Sequence, residues 1–232
     1  MEVVMLCGGK GMRMRPHTEN VPKPMMNVGE MPIMEHLMKY FSHFGHNEFI
    51  ACLGYRKDAV EDYFRNSKWD IKLVDTGEET SKAGRLKKVA QFIKRDVFFL
   101  AYGDDLSTVN VQDLYAFHKK NNALVTVTAV RLVSPYGIIK IDSTGKITDF
   151  KEKPVLDHYI NGGFFVVDKS VLDMMKDGED LEKDILPRIA AMGRLYAFRH
   201  DGFWASMNTH QDNIMLNDLW SKGKAEWKVW KA

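Results

Sequence analysis

Short apolar runs alternate with amphipathic stretches through the first hundred residues. Val3–Leu6 is uninterruptedly apolar, the pattern of a strand buried on both faces, and it empties into Cys7-Gly8-Gly9-Lys10-Gly11-Met12-Arg13. Over Pro32–Phe44, the residues Ile33, Met34, Leu37, Met38 and Phe41 share one face at helical spacing, and Gly45 supplies a stop. A strand over Glu48–Leu53, a helix over Asp58–Arg65 and a strand over Ile71–Val74 continue the alternation. The spacing of Leu86, Val89, Ala90 and Ile93 predicts a helix over Leu86–Ile93, and Val97–Ala101 reads as a fully buried strand. Strands alternating with helices predict a parallel sheet, whose ligands bind beyond the carboxyl ends of the strands. The loops after Leu6 and Ala101 then share one edge, which brings Gly8–Arg13 towards Asp104.

From Leu124 the texture changes to strands joined by short turns: Leu124–Val130, Gly137–Ile141, Ile147–Phe150 and Asn161–Val167, with a hairpin signal at Ser143-Thr144-Gly145. Helices over Ser170–Met175 and Leu181–Met192, a strand over Leu195–Phe198 and a helix over His210–Trp220 follow. The expected fold is α/β: a doubly wound, mostly parallel, Rossmann-like sheet with a smaller β subregion. No linker or composition shift divides residues 1–232, so a single domain with halves 1–123 and 124–232 is expected.

Composition narrows the function. A chain of 232 residues can bury about 70% of its extended surface as one domain. The net charge of +2, with acids and bases interspersed, gives no electrostatic footprint for nucleic acid. Cys7 and Cys52 each sit in an apolar run and read as buried thiols, which suits a reducing cytoplasm. No apolar run approaches the length of a membrane span and no secretory pattern is visible, so a cytoplasmic protein is expected. The close histidine pair His43 and His46 straddles a helix end and reads as no zinc site.

Glycines and a cation at the end of a strand make a phosphate cradle, because backbone N–H groups can crowd the phosphate oxygens while the side chain neutralises them. The loop lacks the Gly-Lys-Ser/Thr ending of a P-loop and the third glycine of a dinucleotide fingerprint, so both are disfavoured. Lys23 lies in Val21-Pro22-Lys23-Pro24-Met25, where two prolines restrict the chain around it; the alternative is a solvated lysine in a stiff loop. Tyr102-Gly103-Asp104-Asp105 closes the most apolar strand with carboxylates suited to Mg²⁺ on a triphosphate. Capping of the following turn is the alternative.

Taken together, Gly8–Arg13, Pro22-Lys23-Pro24-Met25, Tyr102-Gly103-Asp104, Glu152-Lys153-Pro154 and Asn161-Gly162-Gly163-Phe164 resemble the ordered motifs of the sugar-1-phosphate nucleotidylyltransferases, from end to end of the chain. Asp75–Thr80, Gly84–Val89, Gly202-Phe203-Trp204 and Gly223–Trp230 are similar to the glucose-1-phosphate cytidylyltransferases of that family. The resemblance implies that an acceptor phosphate attacks the α-phosphorus of CTP and pyrophosphate leaves, with Mg²⁺ as cofactor and glucose 1-phosphate as acceptor. It implies Arg13 at the pyrophosphate and Lys23 at the α-phosphate as catalytic residues. Leu6, Gly8, Gly9, Gly11, Met12, Gly84, Arg85 and Gly103 would join them around the nucleotide, in the half 1–123. Tyr136, Gly137, Glu152, Lys153, Asn161 and Gly162 would surround the acceptor, in the half 124–232, while Asp104 and position 208 would hold Mg²⁺. Arg85 otherwise reads as a solvated cation in a first helical turn, a position the helix dipole disfavours, and that misfit points to function.

Three departures from the family pattern are visible. Met12 stands where threonine is usual, the segment between Phe64 and Ile71 is short, which leaves the expected homo-oligomer open, and Asn208 stands where aspartate is usual. An amide offers Mg²⁺ only a carbonyl oxygen. Asp212 lies one turn on, but Thr209-His210-Gln211-Asp212 also reads as a capping box. Two alternatives follow: a cytidylyltransferase for another phosphorylated small molecule, such as a different sugar phosphate or phosphoglutamine, or a non-catalytic nucleotide-binding relative. Joint retention of Arg13, Lys23, Asp104 and Lys153 speaks against the second.

Overall fold

The computed structural model describes residues 1–230. β1 (Val3–Leu6) runs through 3-10 turns at Met12–Met14 and Lys23–Met25 into a minimal hairpin, β2 (Asn27–Val28) and β3 (Met31–Pro32), and then α1 (Ile33–His43). β4 (Glu48–Leu53), α2 (Lys57–Phe64), β5 (Asp70–Asp75), α3 (Lys82–Val89) and β6 (Val97–Tyr102) follow. Next come β7 (Asp105–Ser107), α4 (Val111–Lys120), β8 (Val125–Val133), β9 (Ile138–Ile141), β10 (Ile147–Lys151) and β11 (Val155–Asp168). A 3-10 segment at Lys169–Met174, a π turn at Leu181–Ile185, α5 (Leu186–Ala191), β12 (Leu195–Arg199), β13 (Trp204–Ser206) and α6 (His210–Ser221) complete the order.

Seven strands form the central sheet in the order β12-β8-β11-β6-β1-β4-β5. β1 is parallel to β4 and β6, β4 to β5 and β12 to β8, whereas β11 runs antiparallel to both its neighbours. The doubly wound, mostly parallel sheet is therefore present, and it runs without a break across residue 123. Alternate residues of each central strand feed opposite faces. Val3, Met5 and Phe99 pack with Leu37, Phe41 and Leu114 on one side; Val4, Phe98 and Leu100 pack with Leu86, Val89 and Ile189 on the other. A third cluster joins Met14, Val28, Ile33, Met207, Leu216 and the fully buried Trp227. The β9–β10 hairpin stands apart as its own two-stranded sheet, with Ile138, Ile139, Ile141, Ile147 and Phe150 exposed.

Several elements differ from the sequence-based expectation. α4 was not anticipated: its buried positions are Val111, Leu114 and His118, and a histidine does not register as part of an apolar stripe. His118 is core because its Nδ1 meets Thr126 Oγ1 at 3.0 Å. The helix expected over Leu86–Ile93 begins earlier, at Lys82, because the Ser81 hydroxyl caps Gly84 N–H at 3.1 Å, and it tightens to 3-10 at Ala90–Phe92. The helix expected over Leu181–Met192 opens as a π turn; Pro187, in the first turn of α5, has no N–H for the carbonyl four residues back. The segment expected as helix over Ser170–Met175 is 3-10, and the strand expected over Asn161–Val167 begins at Val155.

Burial lowers the imidazoles of His36, His46 and His118 from the ordinary 6.5 to about 4. The unfolded chain therefore takes up these protons near pH 6.5 and the folded chain only near 4. Stability is expected to fall as the pH drops through that window, because the unfolded state binds more protons there. Denaturant midpoints measured across it should slope downward towards acid, and His118→Gln should remove about one proton from the slope. A flat profile would refute the assignment.

Candidate active site

The site grows from the carboxyl ends of β1 and β6. Register pairs Leu6 with Tyr102, and Gly103 N–H donates to Leu6 O at 3.2 Å, so the loops after the two strands start side by side. Gly103 has to be glycine because a Cβ would lie 2.6 Å from Cys7 Sγ. Gly11 turns the glycine-rich loop with a φ of 59°, in the left-handed region, into the turn that carries Arg13.

Lys23 is not a solvated lysine. Its 3-10 turn is closed by Met25 N–H to Pro22 O at 2.8 Å and Met26 N–H to Lys23 O at 3.1 Å. The ammonium, with 16% of its side chain exposed, ion-pairs with Asp104 and donates to Asn208 Oδ1 at 3.2 Å. Arg13 Nη2 donates to the same amide oxygen at 2.8 Å, and Asn208 Nδ2 donates to Ser206 Oγ at 2.9 Å. Asn208 thus brackets the two cations. The capping box at Thr209 is present, and Asp212 Oδ2 accepts from the backbone N–H of Asn208 at 2.9 Å and of Thr209 at 2.7 Å. Asp212 therefore orients the backbone of Asn208.

These groups line one cavity of about 800 Å³. Leu6, the stretch Gly8–Arg13, Lys23, Arg85 and Asp104 line it, together with Asn161 from β11 and Asn208 from the loop between β13 and α6. Gly84 and Gly103 are not among the lining residues, and Gly162 is buried, its carbonyl accepting from Trp204 Nε1 at 2.8 Å. Tyr136, Gly137, Glu152 and Lys153 do not line the cavity either: they gather at the open end of the β9–β10 hairpin, where the Glu152 carboxylate packs over Gly137 and Lys153 has a φ of 46°. Of the expected nucleotide-side residues all but Gly84 and Gly103 line this cavity; of the acceptor-side set, only Asn161 reaches it.

Arg85 is 4% exposed. Its Nη1 donates to Leu53 O at 2.8 Å and Thr76 Oγ1 at 2.6 Å, and its Nη2 donates to Gly8 O and Glu78 O, each at 3.0 Å. The misfit with the helix dipole disappears, since the side chain leaves the helix and crosses the ends of three strands. Burial lowers its basicity without removing its charge.

Other residues around the cavity make contacts that no sequence pattern announces. Lys10 pairs with Glu78 at 3.3 Å and with Glu79 across the cavity mouth. Tyr102 donates to Glu182 Oε1 at 2.6 Å, and burial followed by the Glu182 charge pushes its phenol far up. Asp105, at 3% exposure, is pushed well above the usual carboxylate range by burial and by Asp104 beside it. Among the described residues no three His, Cys, Asp or Glu side chains cluster as metal ligands. Asp104 and the Asn208 carbonyl nevertheless present only oxygen to the cavity, a donor set that fits a hard cation held chiefly by a nucleotide. No helix among the described residues is long and apolar enough to cross a membrane.

Residues 2–222 match the model of the family described as Nucleotidyl transferase. The glucose-1-phosphate cytidylyltransferase of Salmonella typhi is 37% identical over 258 residues, covering 100% of both chains. The UTP--glucose-1-phosphate uridylyltransferase of Synechocystis is 29% identical over 237 residues, covering 91% of this chain and 61% of that protein. Among solved structures, HddC from Yersinia pseudotuberculosis is similar with a TM-score of 0.74 at 23% identity, covering 94% of this chain and 99% of that one. A UDP-glucose pyrophosphorylase complexed with UDP-glucose gives a TM-score of 0.75 at 19% identity, covering 96% and 98%. At such identities the structural likeness speaks for the fold alone, while the family match and the full-length relatives speak for the chemistry. With a glycine-rich loop, two bracketed cations and a carboxylate at one sheet edge, the chain belongs to the nucleotidyl transferase family and is a nucleotidyltransferase.

Proposed function

We propose that this nucleotidyltransferase moves CMP from CTP to a phosphorylated acceptor, glucose 1-phosphate foremost, giving CDP-glucose and pyrophosphate. The observation that carries the reading is the bracket of Arg13 and Lys23 around Asn208 Oδ1 with Asp104 alongside, at the carboxyl edge of β1 and β6. Full-length likeness to a glucose-1-phosphate cytidylyltransferase supports the choice of base and acceptor. An acceptor phosphate oxygen forms a bond to the α-phosphorus as the bond to the β-phosphate oxygen breaks, and pyrophosphate carries that electron pair away. Little covalent work falls to the protein, so catalysis is positioning and charge neutralisation.

In this reading Lys23 exchanges Asp104 for the α-phosphate, where charge grows, and Arg13 takes the departing pyrophosphate. The amides of Gly8, Gly9 and Gly11 cradle the phosphates, and Arg85 holds Gly8 for that task. Asp104 and Asn208 would hold Mg²⁺, which supplies further charge neutralisation on the triphosphate when bound. Asn161 lines the acceptor side; Tyr136, Gly137, Glu152, Lys153 and Gly162 are assigned there by motif resemblance alone.

A pyrophosphate-release screen across nucleotides and acceptors tests the reading. CTP with glucose 1-phosphate should give the highest kcat/KM. Equal or better rates with UTP or dTTP on every active acceptor would overturn the base assignment, a better acceptor would redirect the other, and no turnover with any pair would favour a regulatory relative.

Lys23→Ala should lower turnover by roughly 100-fold, with a smaller change in the KM for CTP, because the contact strengthens in the transition state. An unaltered kcat would remove Lys23 from the chemistry. Asn208→Asp should tighten Mg²⁺ binding to the CTP complex, measured by calorimetry, since a carboxylate replaces an amide oxygen. Unchanged affinity would limit Asn208 to bracketing Arg13 and Lys23.

A further inference from the structure

Three residues that line the cavity, Lys82, Tyr102 and Asn161, are joined into one chain of hydrogen bonds through Glu182. Lys82, at the start of α3, ion-pairs with Glu182 and lies 4.6 Å from the centroid of the Tyr102 ring. The Tyr102 hydroxyl donates to the same Glu182 oxygen at 2.6 Å and accepts from Asn161 Nδ2 at 3.1 Å. Asn161 Oδ1 accepts from Gly163 N–H at 2.9 Å. The π turn that carries Glu182 is capped by Asp180, whose Oδ1 accepts from Glu182 N–H and Lys183 N–H, each at 3.0 Å. It is tied to the cap of α3 by the Ser81 hydroxyl, which donates to Glu179 O at 2.7 Å.

Polarity runs one way along this chain. An ionised Glu182 can only accept, so the Tyr102 proton points to it and a phenolic lone pair is left for Asn161. Turning the Asn161 amide over would set lone pair against lone pair at Tyr102 and N–H against N–H at Gly163. One N–H and one lone pair of Asn161 remain, a donor and an acceptor matched to a hydroxyl group, which is both.

We propose that Glu182 and Tyr102 are positioning residues that fix the amide orientation of Asn161 and thereby its selectivity for a hydroxyl-bearing acceptor. The inference rests on reading Asn161 as an acceptor-side residue. Lys82 anchors the relay by holding Glu182 in place.

Two readouts test it. With glucose 1-phosphate and CTP, Tyr102→Phe should raise the acceptor KM by about threefold to tenfold, with smaller changes in kcat and in the KM for CTP. Glu182→Ala should behave like Tyr102→Phe, whereas Glu182→Gln, whose carbonyl can still accept from Tyr102, should restore most of the loss. In ¹⁵N-labelled protein without substrates, the Asn161 side-chain NH₂ signals, assigned by their absence from Asn161→Ala, should be protected from solvent exchange in the parent and lose protection in Tyr102→Phe. Thermal melting of each variant identifies any global loss of structure. A CTP KM that rises as much as the acceptor KM, or an Asn161 signal indifferent to Tyr102→Phe, would overturn the relay. Absence of turnover with glucose 1-phosphate in the parent would instead overturn the acceptor reading, and the NH₂ signals would still decide the relay.

Discussion

A buried guanidinium organises the catalytic edge of this protein. Arg85 reaches from α3 across the carboxyl ends of β1, β4 and β5 and donates to four uncharged oxygens, none of them a carboxylate. Desolvating a cation costs several kcal/mol, and hydrogen bonds from a charged group at roughly 1.5–3 kcal/mol each are what offset it. The surrounding sequence is constrained accordingly. A Cβ at Gly54 would lie 2.7 Å from Arg85 Nη1, and one at Gly8 would collide with the same guanidinium, so both positions lack side chains. Lysine could not replace it, because a compact ammonium cannot span acceptors on three strands.

Above that floor, the cations of the glycine-rich loop and of the Lys23 turn are already paired: Lys10 with Glu78 and Glu79, Lys23 with Asp104, Arg13 with the Asn208 amide. In the proposed reading, a triphosphate arriving here would exchange partners and would not meet bare charge. Pairing of this kind keeps mutually repelling cations ordered close together, near the positions where the proposed reading puts the phosphates. The amide at position 208 suits this arrangement, since a neutral oxygen can bridge two cations without binding either as tightly as a carboxylate would.

Much of this was legible in the sequence, and the boundary has physical causes. Strands with apolar residues on both faces announce themselves as short unbroken apolar runs, and helices with one clear stripe by their period. α4 stayed hidden because a histidine bonded to Thr126 serves as a core residue. The phosphate loop and Lys23 were readable because glycine and proline act through local backbone geometry. The links of Tyr102 and Lys82 to Glu182 were not, since they span 80 and 100 residues and form no local pattern. Arg85 was flagged by its awkward place in a helix, but which oxygens it binds is a property of the folded sheet.

The tail carries a consequence for how the chain is made. Trp227 is fully buried and donates its indole N–H to His36 Nδ1 at 3.1 Å, while His36 Nε2 meets Val28 O at 2.7 Å. The hydrophobic cluster around Met14, next to Arg13, closes only when this indole is in place. During synthesis, then, the first strands can pair while the segment around Trp227 is still inside the ribosome, but the ground beneath the phosphate loop stays open until that segment emerges. Nascent chains should therefore pair β1, β4, β5 and β6 before the cluster beneath the loop can close.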